Sequence, residues 1–171
     1  MATITLVRHA QASFGAADYD VLSDLGHEQA QALGRALRRL SFAPDAVFLG
    51  AQRRHRETLE GLGFDPADAT VHPGLNEFDA GGLLRARYGS EGPPGPAGDR
   101  RAHFRALRET VLMWQRDEID APPERFTAFA ARVGDAMQAM EAAGRNVLTV
   151  SSGGAISKIL ADVMECPPAQ M

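Results

Sequence analysis

Three short aliphatic runs constrain this chain more than anything else in it: Ile4–Val7, Ala46–Leu49 and Val147–Val150. Runs of that length, rich in β-branched and aliphatic residues, predict buried strands. Longer stretches of helical periodicity separate them. Ser23 is placed to cap a helix through about Leu40, with Leu25, Ala32, Leu33, Ala36, Leu37 and Leu40 as its apolar stripe. Gln52 to Glu60 predicts a basic helix ended by Gly61 and Gly63. Thr70 to His72 predicts a further short strand. Arg101 to Asp117 and Pro123 to Ala143 predict two amphipathic helices, and Gly153 to about Met164 a last one, which Pro167-Pro168 prevents from continuing. Strand alternating with helix predicts an α/β fold, a three-layer sandwich with a mostly parallel central sheet flanked by helices.

Two segments lack periodicity. Gln11 to Leu22 is rich in small and polar residues and predicts a loop. Tyr88 to Gly98 is dominated by glycine and proline and predicts a mobile insertion loop rather than a helix or interior strand. No repeat or linker divides the chain, so its 171 residues predict a single domain spanning 1–171. A net charge of −4 provides no global field toward nucleic acid or an anionic membrane. The single cysteine, Cys166, excludes an intramolecular disulfide and a cysteine zinc cage. No apolar run approaches the roughly 18–20 residues of a membrane span, and no basic leader precedes Ile4. The expectation is a cytoplasmic domain.

Ligands of open α/β sheets bind beyond the carboxyl ends of the strands, and polar groups gather there in this sequence. Arg8-His9 follows the first strand, setting a fixed cation beside an imidazole, a group able to act as a nucleophile. Arg53 to Thr58 follows the second; it reads either as a solvated basic face or as arginines aimed, with a helix N-terminus, at an anion. Leu75 to Gly82 carries Glu77 and Asp79 between apolar residues, either an ordinary acidic loop or a carboxyl held at a cleft. Ser151-Ser152-Gly153-Gly154 follows Val150 as a Ser-capped helix start or a phosphate cradle; it lacks the Gly-Lys-Ser/Thr ending of a Walker loop.

Taken in order, these segments resemble the histidine phosphatase superfamily, the group that includes cofactor-dependent phosphoglycerate mutases and phosphohistidine phosphatases. The opening Leu-Val-Arg-His-Gly of that family is similar to Leu6-Val7-Arg8-His9-Ala10, and its Leu-Thr-x-x-Gly-x-x-Gln-Ala to Leu22 through Ala30. Its Ser-x-x-x-Arg-Ala-x-Gln/Glu-Thr block aligns with Gly50 to Thr58, which sets the second phosphate-binding arginine at Arg54. Its acid segment aligns with Leu75, Glu77 and Gly81, and its Val-Ser-His-Gly-Gly with Val150 to Gly154. The departures are Ser152 at the family's second active-site histidine, Ala10 at the motif glycine, Gly15 at a frequent phosphate-binding position, and Gly50-Ala51-Gln52 at the usual Ser-Pro-Leu. Relatives also commonly continue into another strand where this chain ends.

The resemblance implies a phosphoglycerate mutase-like fold and a metal-independent phosphatase without a cofactor. His9 would attack phosphorus and become a phosphohistidine; Arg8, Arg54, Ser152 and Gly153 would bind the phosphoryl oxygens. Glu77 would protonate the leaving oxygen and then activate water, with Asp79 in reserve. Ser152 replaces a charged donor by one neutral hydroxyl, a loss of about 1–2.5 kcal/mol or roughly 5- to 70-fold in rate. As a helix N-cap it would accept from the N–H of Gly154 or Ala155 while keeping its own proton for phosphate. Ser152→His, freed of the Ala10 methyl, is therefore expected to raise activity. The expected partner is a phosphorylated small molecule or a phosphoprotein, with no nucleic acid and no membrane; a pseudophosphatase that binds without turnover is the alternative.

Overall fold

In a computed structural model, residues 3–13, 20–94, 99–167 and 169 are described. Four strands, β1 (Thr3–Arg8), β2 (Ala46–Leu49), β3 (Thr70–Val71) and β4 (Asn146–Ser151), form one sheet in the order β1-β4-β2-β3, with every pairing parallel. The three aliphatic runs are β1, β2 and β4, as their composition predicts, but β1 lies at the sheet edge and its run is only half-buried except at Val7. β4 lies between β1 and β2 and is buried along nearly its whole length.

The helices are α1 (Asp24–Arg39), α2 (Arg53–Leu62), α3 (Ala80–Tyr88), α4 (Arg100–Gln115), α5 (Phe126–Ala143) and α6 (Gly153–Val163). Alternate strand residues point to opposite faces, so the sheet separates two cores. Phe48 and Val147 join Trp114, Phe129, Val133, Met140 and Ile159 on one side. Leu49, Leu148 and Val150 join Leu37, Leu59 and Leu62 on the other, beneath α1 and α2. Thr149, in the middle of β4, is satisfied on the first side by donating to Met140 Sδ at 2.9 Å.

Ser23 caps α1 by accepting from Gly26 N at 3.1 Å. Gly26 leaves room for the Gln11 carbonyl, which a Cβ would strike. After β1, Ala12 and Leu22 form an antiparallel bridge. The basic helix α2 starts one residue later than its sequence suggests and runs through Gly61, because the missing side chain at Gly61 lets the helix lie against Ala30 of α1. Gly63, at φ 94°, ends it.

Three elements depart from the sequence expectations. α3 occupies residues read there as the end of an acidic loop and the start of an insertion: Asp79 caps it by accepting from Gly82 N at 2.7 Å. A short 3-10 turn, Gly89–Glu91, lies inside the segment predicted to be an irregular loop, whose residues 95–98 fall outside the described ones. α5 begins at Phe126 rather than at Pro123, since the backbone before it is already engaged: Glu124 O accepts from Trp114 Nε1 at 2.6 Å. Among the described residues no helix is long and apolar enough to cross a membrane.

Candidate active site

Because the strands are parallel, β1, β2 and β4 all end on one side of the sheet, with Arg8 opposite Ser151 and Leu49 opposite Val150. The His9 N–H donates to Ser151 O at 2.9 Å and the Gly50 N–H to Val150 O at 3.3 Å, so the pairing continues into the residues that leave the sheet. A cavity of about 470 Å³ opens there, lined by Arg8, His9, Gln52, Arg54, Glu77, Phe78 and Asp79, with Phe104 and Leu107 of α4 across it.

His9 is partly buried, and its Nδ1 lies 2.8 Å from Ala10 O. That contact sets the hydrogen on Nδ1 and leaves Nε2 with its lone pair. Burial, and then the Arg54 and Arg8 charges, lower its pKa to about 4, overcoming the opposing effects of Ala10 O and Asp20. The imidazole is therefore neutral near pH 7.

Arg54, 6% exposed, enters from the first turn of α2. Its Nη1 donates to Asp20 Oδ1 at 2.7 Å, and the second oxygen of Asp20 accepts from the Arg53 N–H at 2.8 Å. Asp20 thus caps α2 and anchors the guanidinium together, a role that its place in a polar loop does not reveal. Thr58 ties α2 to the His9 segment, accepting from the Ala10 N–H at 3.0 Å while donating to Arg54 O at 2.7 Å.

Glu77 follows a 3-10 turn, Pro73–Leu75, that packs beneath α5. Its Oε2 accepts from Gly154 N at 3.0 Å and its Oε1 from its own neighbour, Phe78 N, at 3.2 Å. Burial raises its pKa above the ordinary carboxylate value, against those two backbone donors and the charges of Arg54 and Arg8. Asp79 also borders the cavity, but its carboxylate is committed to the start of α3 and to an exposed ion pair with Arg85 at 3.6 Å.

Ser152 has the backbone of an N-cap, yet its side chain makes no capping hydrogen bond; Glu77 caps α6 instead. The predicted cap is thus corrected, because the serine hydroxyl has nearer partners. It lies 2.7 Å from His55 Nε2, 3.3 Å from Arg54 Nη2 and 3.3 Å from Gln52 Oε1. The residue is fully buried, and its proton is engaged inside the protein. Gly153 packs 3.6 Å, measured from an added Cβ, from Arg8 Nε, so the loop approaches the arginine closely. Gly15 lies outside the described residues.

The fold brings Arg8, His9, Arg54, Glu77, Ser152 and Gly153 together at one end of the sheet. Sequence reasoning missed Gln52, Asp20 and above all His55, which is fully buried with its ring centroid 5.8 Å from that of His9. The available signal was its departure from the aligned family block: His55 stands at the alanine of Arg-Ala-x-Gln/Glu-Thr.

A family profile described as the histidine phosphatase superfamily (branch 1) matches residues 4–171. The 2,3-bisphosphoglycerate-dependent phosphoglycerate mutase of Chelativorans sp. is 33% identical over 106 residues, a match covering 52% of this chain and 52% of the mutase. The chain thus aligns with about half the length of that curated relative. Among solved structures, the α-ribazole phosphatase of Shigella flexneri superposes with a TM-score of 0.63 at 24% identity, covering 96% of this chain and 81% of that one. A mycobacterial glucosyl-3-phosphoglycerate phosphatase gives 0.60 at 23%, covering 96% and 80%. These likenesses show the fold.

Proposed function

This chain belongs to the histidine phosphatase superfamily, and from that membership and the chemistry of its cavity we propose that it is a metal-independent phosphatase of a phosphate ester or phosphohistidine, working through phospho-His9. One observation carries the reading: a neutral imidazole with its Nε2 lone pair open shares a cavity with two guanidiniums and a carboxyl whose pKa is raised by burial. Arg8 and Arg54 would hold the nonbridging oxygens. His9 Nε2 forms the N–P bond as the O–P bond to the leaving group breaks, and the leaving oxygen takes the Glu77 proton. The Glu77 carboxylate then takes a proton from water, which attacks phosphorus and releases phosphate, restoring both groups. Turnover is attenuated because Ser152 supplies no charge.

The same serine favours a second reading, a binding-only protein: its proton is engaged inside the protein rather than offered to the cavity. Hydrolysis of a generic aryl phosphate, with and without chelator, decides between them. The phosphatase reading expects phosphate release unaffected by chelator; saturable phosphate binding with no release favours the other.

The pH dependence follows from the two shifted groups. His9 attacks only when deprotonated, so kcat/KM should rise as pH increases through about 4. Glu77 donates only when protonated, so kcat/KM should fall once pH passes its raised pKa. A bell-shaped profile is expected for esters with poorly acidic leaving groups. Glu77→Gln should remove the alkaline limb and slow those esters by about 10²- to 10⁴-fold. An unchanged alkaline limb in that variant removes Glu77 from the role of acid.

A further inference from the structure

The sequence departures at Gly50, His55 and Ser152 are scattered along the chain but meet in space. Nε2 of His55 is 2.7 Å from Ser152 Oγ. A Cβ on Gly50 would come closer than 3.0 Å to Nδ1 and Cε1 of the same ring, and also to Leu75 O. Each residue therefore depends on the others. A side chain at position 50 strikes the imidazole, and a larger one at 152 strikes it from the other side. An alanine at 55 leaves a fully buried space and takes a partner from the Ser152 hydroxyl. The space that a histidine at 152 would need is filled by an imidazole reaching in from α2. His55 is thus an obstacle to Ser152→His that the Ala10 methyl alone does not account for.

We propose that His55 is a positioning residue of this site, interlocked with Gly50 and Ser152, that orients Arg54 for a phosphoryl oxygen through the Ser152 hydroxyl. The proposal rests on the phosphatase reading for its consequence in catalysis, but not for its geometry. Nδ1 of His55 faces the Gly50 backbone without reaching good hydrogen-bond geometry, which favours the hydrogen on Nδ1 and an accepting Nε2. Ser152 then donates to Nε2, and its oxygen accepts from Arg54 Nη2 at 3.3 Å. Asp20 holds Nη1 of the same guanidinium at 2.7 Å, so the plane is set from two sides while Arg54 faces the cavity. Burial and Arg54 keep the ring neutral, with a pKa of about 3. His55 thus adds no charge to the phosphate site; it acts on the cation that does.

Two experiments test this, neither requiring turnover. In the first, thermal midpoints are measured for Gly50→Ser, Ser152→His and the triple variant Gly50→Ser/His55→Ala/Ser152→His. Each single change should lower the midpoint by about 4 °C or more. The triple variant should lose clearly less than the sum of the single losses, because removing the ring relieves its contacts with positions 50 and 152 although Leu75 O still borders position 50. Single variants as stable as the parent overturn the interlock, as does a triple variant whose losses simply add. In the second, inorganic phosphate binding is measured by calorimetry for His55→Gln, which keeps an acceptor near Nε2, and His55→Leu, which fills similar space without one. The leucine variant should bind phosphate about 3- to 10-fold more weakly and the glutamine variant within about 2-fold of the parent. Equal affinities in the two variants reduce His55 to packing and overturn the positioning role. Absence of phosphatase activity in the parent overturns the proposed function alone, because midpoints and phosphate affinity still report on the trio.

Discussion

With His9 replaced by asparagine, phosphate release from an ester is expected, on the proposed phosphatase function, to fall by about 10⁴-fold or more, while the protein should keep its fold and its affinity for inorganic phosphate. Loss of a covalent nucleophile leaves only the catalysis that binding and electrostatics provide. In this cavity those are Arg8 and Arg54, which stand on β1 and α2 independently of the imidazole. Asparagine retains a polar group near the Ala10 carbonyl that now receives Nδ1, so the turn after β1 has no reason to collapse. The parent protein, quenched during turnover of an ester, should carry phosphate that is released by acid and stable to base, as an N–P bond requires. The asparagine variant should carry none. Release that continues at the parent rate without His9 rejects the phosphohistidine route.

Gly74→Ala is expected to cost about 3 kcal/mol of stability or more and to lower the thermal midpoint by about 6 °C or more. Gly74 sits beneath α5, and an added Cβ would run into the Arg132 carbonyl and into Ala136 Cβ at 2.8 Å. Both belong to a helix interior, and neither has the freedom of a long side chain to move aside. The same displacement reaches the cavity. Arg132 Nη1 donates to Asn76 O at 2.8 Å, Asn76 Oδ1 accepts from Ala51 N at 2.6 Å, and Glu77 comes next in the chain. Activity should therefore fall together with stability. Gly134→Ala, on the same helix with open space around the added methyl, is the control: it should stabilise by about 0.5–1 kcal/mol. A Gly74→Ala midpoint equal to that of the parent means the 3-10 turn moves away from α5 without penalty.

The parts of this molecule legible in its sequence are those whose cause is local. Ile4–Val7, Ala46–Leu49 and Val147–Val150 are strands because short β-branched and aliphatic runs suit a pleated, packed surface; only the central β4 is buried along nearly its whole length. His9, Arg54 and Glu77 stand just beyond elements whose direction is common to a parallel sheet, so their convergence follows from topology. α3 was hidden for a local reason of the opposite kind. Gly81-Gly82 has poor helix propensity, and the helix exists because Asp79 caps it and because Gly82 alone leaves room for the Asp79 carboxylate and Pro123.

Ser152 and His55 mark where local reasoning ends. Beside a Gly-Gly helix start a serine reads as a cap, and within Arg53 to Arg56 a histidine reads as one more member of a basic face. Capping and basicity are set by nearest neighbours, and both readings are reasonable there. The contact between these two side chains joins residues 97 positions apart, and it exists only because α2 and the turn before α6 leave adjacent parallel strands at the same end. The sequence by itself determined which chemical groups stand at the strand ends and that a parallel sheet would gather them. Only the tertiary structure decided that the serine hydroxyl lies against a buried imidazole and that Glu77 caps α6, because in a close-packed interior a hydroxyl bonds to whichever partner the packing sets nearest.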